Sequence, residues 1–88
     1  MTPQHEPEQQ RFTLPTTPAS VLDYRLSPGQ VVFTHTSVPS AYRGQGLAAL
    51  LVEAGLQWAK EQGLKVVPAC SYAQLHIQRH PEWQHLVA

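Results

Sequence analysis

Alternating apolar and polar positions predict three strands in the first half of the chain. Residues 11–14 alternate polar with apolar, and residues 20–26 form a second run of the same kind. Such alternation is typical of half-buried strands. Residues 31–38 are β-branched almost throughout, which favours a largely buried strand. Pro28-Gly29 supplies turn chemistry before this third strand, because proline fixes φ and glycine tolerates positive φ, so the last two strands are predicted to form a hairpin.

From Gln45 onward the apolar period changes from two residues to three or four. An amphipathic helix is therefore predicted, and Gly63 is expected to end it in the left-handed conformation. Residues 64–68 form a fourth strand, and a strand–helix–strand connection of this length predicts that it pairs parallel to the third strand by a right-handed crossover. The apolar stripe of the helix consists of Leu47, Leu50, Leu51, Ala54 and Trp58.

The end of the chain predicts more helix. A second helix is expected at residues 71–79, and Pro81 interrupts it because proline cannot continue the backbone hydrogen bonding. Residues 82–87 are predicted to form a final helical turn with Trp83 and Leu86 facing inward.

The resulting order, βββαβα, predicts an α+β fold. We expect one mixed sheet of about four strands, mostly antiparallel with one parallel crossover, packed by two main helices. Residues 1–10 are polar and contain two prolines, so they are predicted to form a flexible tail. Residues 11–88 would then form a single domain, which is all that a chain of this length allows.

Composition narrows the classes of function. The chain has 88 residues, with six Lys and Arg against six Asp and Glu, and a formal net charge of zero. A balanced charge does not indicate a nucleic-acid or membrane-surface binder, and no apolar run approaches membrane-spanning length. The single cysteine and the lack of a leader-like start predict a reducing, cytoplasmic setting.

The junction between the third strand and the first helix carries the chemistry. Gly44 and Gly46 leave the backbone open to close approach. The first amides of the helix lack internal partners, and with the helix dipole they form a site suited to phosphate. Residues 44–49 also fit the dinucleotide pattern G-x-G-x-x-A, but residues 39–43 separate the strand from the first glycine and no ribose-binding acid follows. A structural turn without a ligand is the third interpretation.

The same junction resembles a known superfamily. Arg43-Gly44-Gln45-Gly46-Leu47-Ala48 is similar to the R/Q-x-x-G-x-G/A signature of the GNAT superfamily of acyl-CoA N-acyltransferases. The chain more closely resembles a small single-domain GNAT-like subfamily over roughly residues 11–88. That resemblance is carried by His35-Thr36-Ser37-Val38-Pro39, Arg43-Gly44-Gln45-Gly46, Lys65-Val66-Val67-Pro68-Ala69-Cys70-Ser71-Tyr72 and Arg79-His80-Pro81-Glu82-Trp83.

The resemblance implies the coenzyme-binding half of that fold, with acetyl-CoA as co-substrate. It implies an N-acetyltransferase that transfers the acetyl group to an amine acceptor, which the sequence does not identify. The alternative is a coenzyme A-binding sensor or interaction module without catalysis. The pyrophosphate would be held by Arg43, Gly44, Gln45, Gly46, Leu47 and Ala48, and the pantetheine by main-chain groups of Thr36, Ser37 and Val38.

Two side chains are candidate catalytic residues. Cys70 follows the fourth strand, at the edge of the sheet where open α/β sheets bind ligands, so it could face the thioester or could be a buried packing residue. By alternation His35 shares a face with Phe33 and Ser37 and opposes Thr34 and Thr36. It could take a proton from the amine or polarise Cys70, or could be a structural hydrogen-bonding histidine.

Two further patterns bear on the second helix. Many GNAT enzymes carry N-x-x-A-x-x-x-Y there, and in this chain Cys70 replaces the asparagine and Ile77 the tyrosine that protonates the departing thiolate. Tyr72 could substitute for that acid, or could pack in the core. His76 and His80 stand four residues apart, with His85 nearby, but without an H-E-x-x-H glutamate or a spaced third ligand we predict no metal site.

Overall fold

A computed structural model describes all residues, 1–88, and contains a single five-stranded sheet. Three short 3₁₀ turns, Pro7–Gln9, Ser40–Tyr42 and Pro81–Leu86, connect or extend the main elements. No helix has the length and apolar character needed to cross a bilayer. The main elements are β1 (Gln4–Glu6), β2 (Arg11–Leu14), β3 (Ser20–Ser27), β4 (Gln30–Ser37), α1 (Leu47–Glu61), β5 (Lys65–Pro68) and α2 (Ser71–Arg79).

The sheet order is β1-β2-β3-β4-β5, the order of the chain itself. The first four strands pair antiparallel, and β4 pairs parallel with β5 from Gln30↔Lys65 to Phe33↔Pro68. The predicted α+β fold, with one mixed sheet and one parallel crossover, is confirmed, and the sheet has one strand more than expected. The second helix spans the predicted residues, and Trp83 and Leu86 after it are buried as predicted.

The additional strand comes from the segment predicted to be a flexible tail. β1 pairs antiparallel with β2, with Gln4 opposite Thr13 and Glu6 opposite Arg11. Glu6 accepts hydrogen bonds from Arg11 Nε at 2.9 Å and Thr13 Oγ1 at 3.0 Å. The tail prediction is therefore wrong for residues 4–9, which form β1 and a 3₁₀ turn, because the β1 backbone pairs with β2 and the Glu6 carboxylate finds two side-chain donors there.

His5 anchors this strand to the core. Its ring stacks on Phe12, with centroids 4.2 Å apart, and meets the edge of Trp58 at 4.8 Å. A 2.7 Å hydrogen bond joins His5 Nε2 to the hydroxyl of Tyr24, which is buried. A histidine in a polar stretch thus completes an aromatic cluster, since its flat ring packs like an aromatic side chain while its nitrogen satisfies a buried hydroxyl.

The core lies between the two helices and one face of the sheet, and α1 approaches that face closely at one point. A Cβ atom placed on Gly55 would lie 2.9 Å from both Leu22 Cδ2 and Phe33 Cζ. Glycine therefore lets the helix backbone rest on the side chains of β3 and β4.

A β-bulge in β4 changes which side chains face the core. Asp23 pairs with His35 and Tyr24 with Phe33, so Thr34 is an extra residue between two pairs. A bulge of one residue reverses the alternation beyond it. Phe33 and Thr36 are buried, whereas His35 is exposed. The prediction that His35 shares a face with Phe33 and opposes Thr36 is correct for Thr36 and wrong for Phe33.

Enlarging the closest helix–sheet contact should destabilise the fold. We expect Gly55→Val to lower the free energy of unfolding by about 1–3 kcal/mol, because the added methyl groups overlap Leu22 and Phe33. Gln57→Val places the same side chain on the exposed face of α1 and should change stability by less than about 0.5 kcal/mol. Urea unfolding of both variants measures the difference, and equal stabilities would show that α1 does not press on the sheet at residue 55.

The aromatic cluster should make stability depend on pH. Burial lowers the pKa of His5 below its ordinary value. As the pH falls below the ordinary histidine pKa of about 6.5, the unfolded chain takes up the proton first, so stability should fall until the pH passes the folded pKa of His5. His5→Phe keeps the stacking and removes the titration. Urea unfolding between about pH 7 and pH 5 should therefore show a smaller loss of unfolding free energy for the variant than for the native protein. If the free energies of the two proteins fall in parallel with pH, His5 does not have this role.

Candidate functional site

The candidate site begins where β4 passes into α1. After the turn at Ser40–Tyr42, Gly44 and Gly46 adopt positive φ values of 83° and 74°. These left-handed conformations favour glycine, because a Cβ atom would meet the neighbouring carbonyl oxygen. The two glycines turn the chain sharply, so α1 begins at Leu47, close to the end of β4.

Six successive amides at this junction make no hydrogen bond within the protein. They are the N–H groups of residues 44–49, and the first paired amide is that of Leu50, which donates to the carbonyl of Gly46 at 3.2 Å. No side chain caps the helix. Unpaired donors at the positive end of a 15-residue helix favour a negatively charged group.

A groove of about 250 Å³ adjoins these amides and separates the first turns of α1 from α2. Thr36, Ser37 and Gln45, also predicted to bind the coenzyme, do not line the groove. The predicted coenzyme-binding residues that do line it are Val38, Arg43, Gly44, Gly46, Leu47 and Ala48.

The opposite wall of the groove comes from α2. Tyr72, Leu75, His76 and Arg79 line it together with His80. The sequence offers Tyr72 as a substitute acid or a packing residue and His76 and His80 as a metal-ligand pair that is not expected to bind, but it assigns no role to Leu75 or Arg79. Their spacing of three and four residues does place them on one face of a helix, but only the packing shows that this face meets the groove.

Tyr72 is not a core residue. Its side chain is 45% exposed, whereas Ile77, which stands at the tyrosine position of the superfamily pattern, is 3% exposed. The packing role that the sequence suggested for Tyr72 is therefore wrong. Tyr72 and Tyr42 both line the groove, one from each wall, so two phenols adjoin it.

Glu53 of α1 holds the α2 wall in place. Its carboxylate lies 2.5 Å from His76 Nε2 and accepts hydrogen bonds of 3.1 and 3.2 Å from Trp83 Nε1. The ring of His80 stacks on that of His76 with centroids 4.3 Å apart. One carboxylate thus ties α1 to α2 and to the final turn. No three His, Cys, Asp or Glu side chains are grouped so as to hold a metal ion.

Cys70 lies beside β4, as predicted, and its partner there is Thr36. The hydroxyl of Thr36 and Cys70 Sγ are 3.3 Å apart, and the amide of Ala73 donates to the same sulfur at 3.4 Å, so the cysteine caps α2. The amide of Cys70 donates to the carbonyl of Phe33 at 3.0 Å. No hydrogen bond joins Cys70 to His35, which the bulge places on the opposite face of β4 from Thr36.

Beyond Phe33, β4 has one open edge. Its pairing with β5 ends at Phe33↔Pro68, and the rest of the strand, to Ser37, pairs only with β3. The backbone at Thr36 and Ser37 therefore borders a gap between strands that Cys70 closes at one end. This edge continues through Val38 into the groove.

Comparison with known proteins gives a consistent result. The sequence profile of the family described as GCN5-related N-acetyl-transferase matches residues 11–86. Protein NATD1 of Gallus gallus is 33% identical over 87 residues, which cover 94% of this chain and 79% of that protein. Protein NATD1 of Homo sapiens is also 33% identical over 87 residues, covering 94% of this chain and 77% of that protein.

Solved structures show the same fold. The solution structure of a GCN5-like protein from Staphylococcus aureus superimposes with a TM-score of 0.71. The match covers 98% of this chain and 86% of the other, at 21% sequence identity. At this identity the likeness establishes the fold alone, and it includes the part of the chain that precedes the family match at residue 11.

Proposed function

This chain belongs to the GCN5-related N-acetyltransferase family, and on that premise we propose that it binds acetyl-CoA and transfers the acetyl group to an amine. The observation that carries the proposal is the row of unpaired amides at residues 44–49 beside the groove. These donors would hold the pyrophosphate, with Arg43 on the same rim. Residues 43–48, which resemble the superfamily signature in the sequence, include most of these donors.

The open edge of β4 is the proposed binding site for the pantetheine arm. Backbone groups of Thr36, Ser37 and Val38 border it, and an amide-containing chain can hydrogen-bond to an unpaired strand edge. This places the thioester end toward Cys70 and the pyrophosphate toward Gly44 and Gly46. Bound acetyl-CoA supplies an activated acetyl group with a thiolate leaving group.

Two side chains receive roles at the thioester end. Tyr72 is proposed as the acid that protonates the departing thiolate, since it lines the groove two residues after Cys70 and the buried Ile77 offers no proton. Thr36, through its contact with the sulfur, is proposed to position Cys70. If Cys70 accepts the acetyl group, its sulfur attacks the thioester carbonyl, the acetyl–sulfur bond of acetyl-CoA breaks, and the coenzyme A thiolate leaves and takes up a proton in place of the one that Cys70 loses. The amine then attacks the acetyl-Cys70 thioester, and its proton returns to the released Cys70 thiolate. If Cys70 does not accept the acetyl group, the amine attacks the original thioester directly.

His35 keeps a separate proposed role. It is exposed on the opposite face of β4 from Thr36 and makes no hydrogen bond to Cys70, so the contact with the thiol belongs to Thr36. His35 remains the candidate base for an amine that approaches from the exposed face of the sheet.

A non-catalytic coenzyme A sensor or interaction module is the second candidate function. The observation that favours it is the burial of Ile77 at the position where superfamily enzymes carry their acid. The short connection between β2 and β3 also leaves out the helical pair that shapes the acceptor pocket in ordinary members of the superfamily.

A negative charge placed among the unpaired amides should weaken coenzyme binding strongly. We expect Gly46→Glu to weaken binding of coenzyme A by an order of magnitude or more, because a carboxylate would repel the pyrophosphate. Gly63→Glu is the matched control, since Gly63 also has a positive φ, of 69°, and a Cβ there meets no atom within 4 Å, as at Gly46. Calorimetric titration of both folded variants measures the effect. Equal affinities would show that the loop at residues 44–49 is not the phosphate site.

Transfer can be followed by mass spectrometry. The protein is incubated with acetyl-CoA, with and without a mixture of small amines and peptides. Molecular masses are then measured for the protein and for the compounds of the mixture. We expect the native protein to form acetylated amine. The Tyr72→Phe variant should form it roughly 100-fold more slowly while its affinity for the coenzyme stays unchanged. Acetyl on the protein that disappears in Cys70→Ser would support the covalent route. Coenzyme binding without acetylation of any kind would support the sensor.

A further inference from the structure

The groove is a local cationic surface in a chain whose formal net charge is zero. Two of the six lysine and arginine side chains, Arg43 and Arg79, line it, together with His76 and His80. No aspartate or glutamate lines it. The positive charge is divided between the two walls, with Arg43 beside α1 and Arg79 on α2.

Neither arginine is neutralised within the protein. The ion pairs of the molecule join Arg11 to Glu6, His76 to Glu53 and His80 to Glu82. Arg43 Nε donates only to the carbonyl of Val38, at 3.4 Å. Arg79 is exposed and makes no hydrogen bond through its side chain. A guanidinium is always charged and matches phosphate geometry with two parallel donors, so an unpaired one on a groove wall favours a phosphate group.

We propose that Arg79 binds the 3′-phosphate of the coenzyme A nucleotide and thereby makes the groove selective for the phosphorylated nucleotide. Coenzyme A carries two separate anionic groups, a pyrophosphate and a ribose phosphate. The groove offers two separate sets of donors, the amides of residues 44–49 with Arg43 on one wall and Arg79 on the other. This inference rests on the proposed function, and it assigns the second set of donors to the second anion.

Arg79 is a stronger candidate for this role than the neighbouring histidines. His76 is engaged by the carboxylate of Glu53, and His80 Nδ1 lies 3.7 Å from Glu82 Oε2. Each histidine ring therefore already has an acidic partner. Arg79 has a permanent charge and no acidic partner, so it is the side chain on α2 best suited to a phosphate with a charge of nearly −2 at neutral pH.

The test compares coenzyme A with 3′-dephospho-coenzyme A by calorimetric titration. We expect the protein to bind coenzyme A about fivefold more tightly, the ratio given by a favourable exposed ion pair. Arg79→Gln should reduce this ratio to about one by weakening only the binding of coenzyme A, and Arg79→Lys should restore part of it. Arg25→Gln, which removes an exposed arginine that does not line the groove, should leave the ratio unchanged. The preference should shrink as ionic strength rises.

The outcomes separate this inference from the function on which it rests. If the protein binds both compounds equally, or if Arg79→Gln keeps the preference, Arg79 does not bind the 3′-phosphate. Binding of the two compounds would in that case still support the proposed coenzyme site. If the protein binds neither compound, the proposed function itself fails. Thermal melting of Arg79→Gln should match that of the unmodified protein, because the side chain is exposed and unpaired.

Discussion

Parallel pairing of β4 with β5 requires the chain to return along the length of the sheet between the two strands, and α1 makes that return. The crossover helix must begin beside the end of β4, and the next helix must begin beside the end of β5. The unpaired amides of α1, the cap of α2 at Cys70 and the open edge of β4 are therefore brought to one edge of the sheet. The groove is a consequence of this connection.

The contacts that fix the two helices also define the walls of the groove. Gly55 allows α1 to lie against β3 and β4, and Glu53 joins α1 to His76 and Trp83. With α2 held in this way, its face from Tyr72 to His80 is directed toward the helix start. A chain without net charge thus acquires, through placement alone, a groove lined by Arg43 and Arg79 and by no aspartate or glutamate.

Two local features explain the places where pattern reasoning did not succeed. Residues 4–6 look like part of a polar tail, yet they form a strand because His5 packs on Phe12 and Trp58 while binding Tyr24. The bulge at Thr34 turns His35 outward and Thr36 inward. Neither feature has a periodic signal, because each depends on partners that are distant along the chain.

The sequence by itself determined the elements from Arg11 onward, the parallel crossover and the glycine junction, because these follow from local periodicity, turn chemistry and connection length. It also indicated the proposed coenzyme loop, through residues 43–48 that resemble a known signature. Only the tertiary structure decided that Thr36 rather than His35 meets Cys70, and that Tyr72 and Arg79 face the groove. The physical reason is that a bulge, a pairing register and the rotation of one helix against another are set by contacts between segments, which no single stretch of sequence contains.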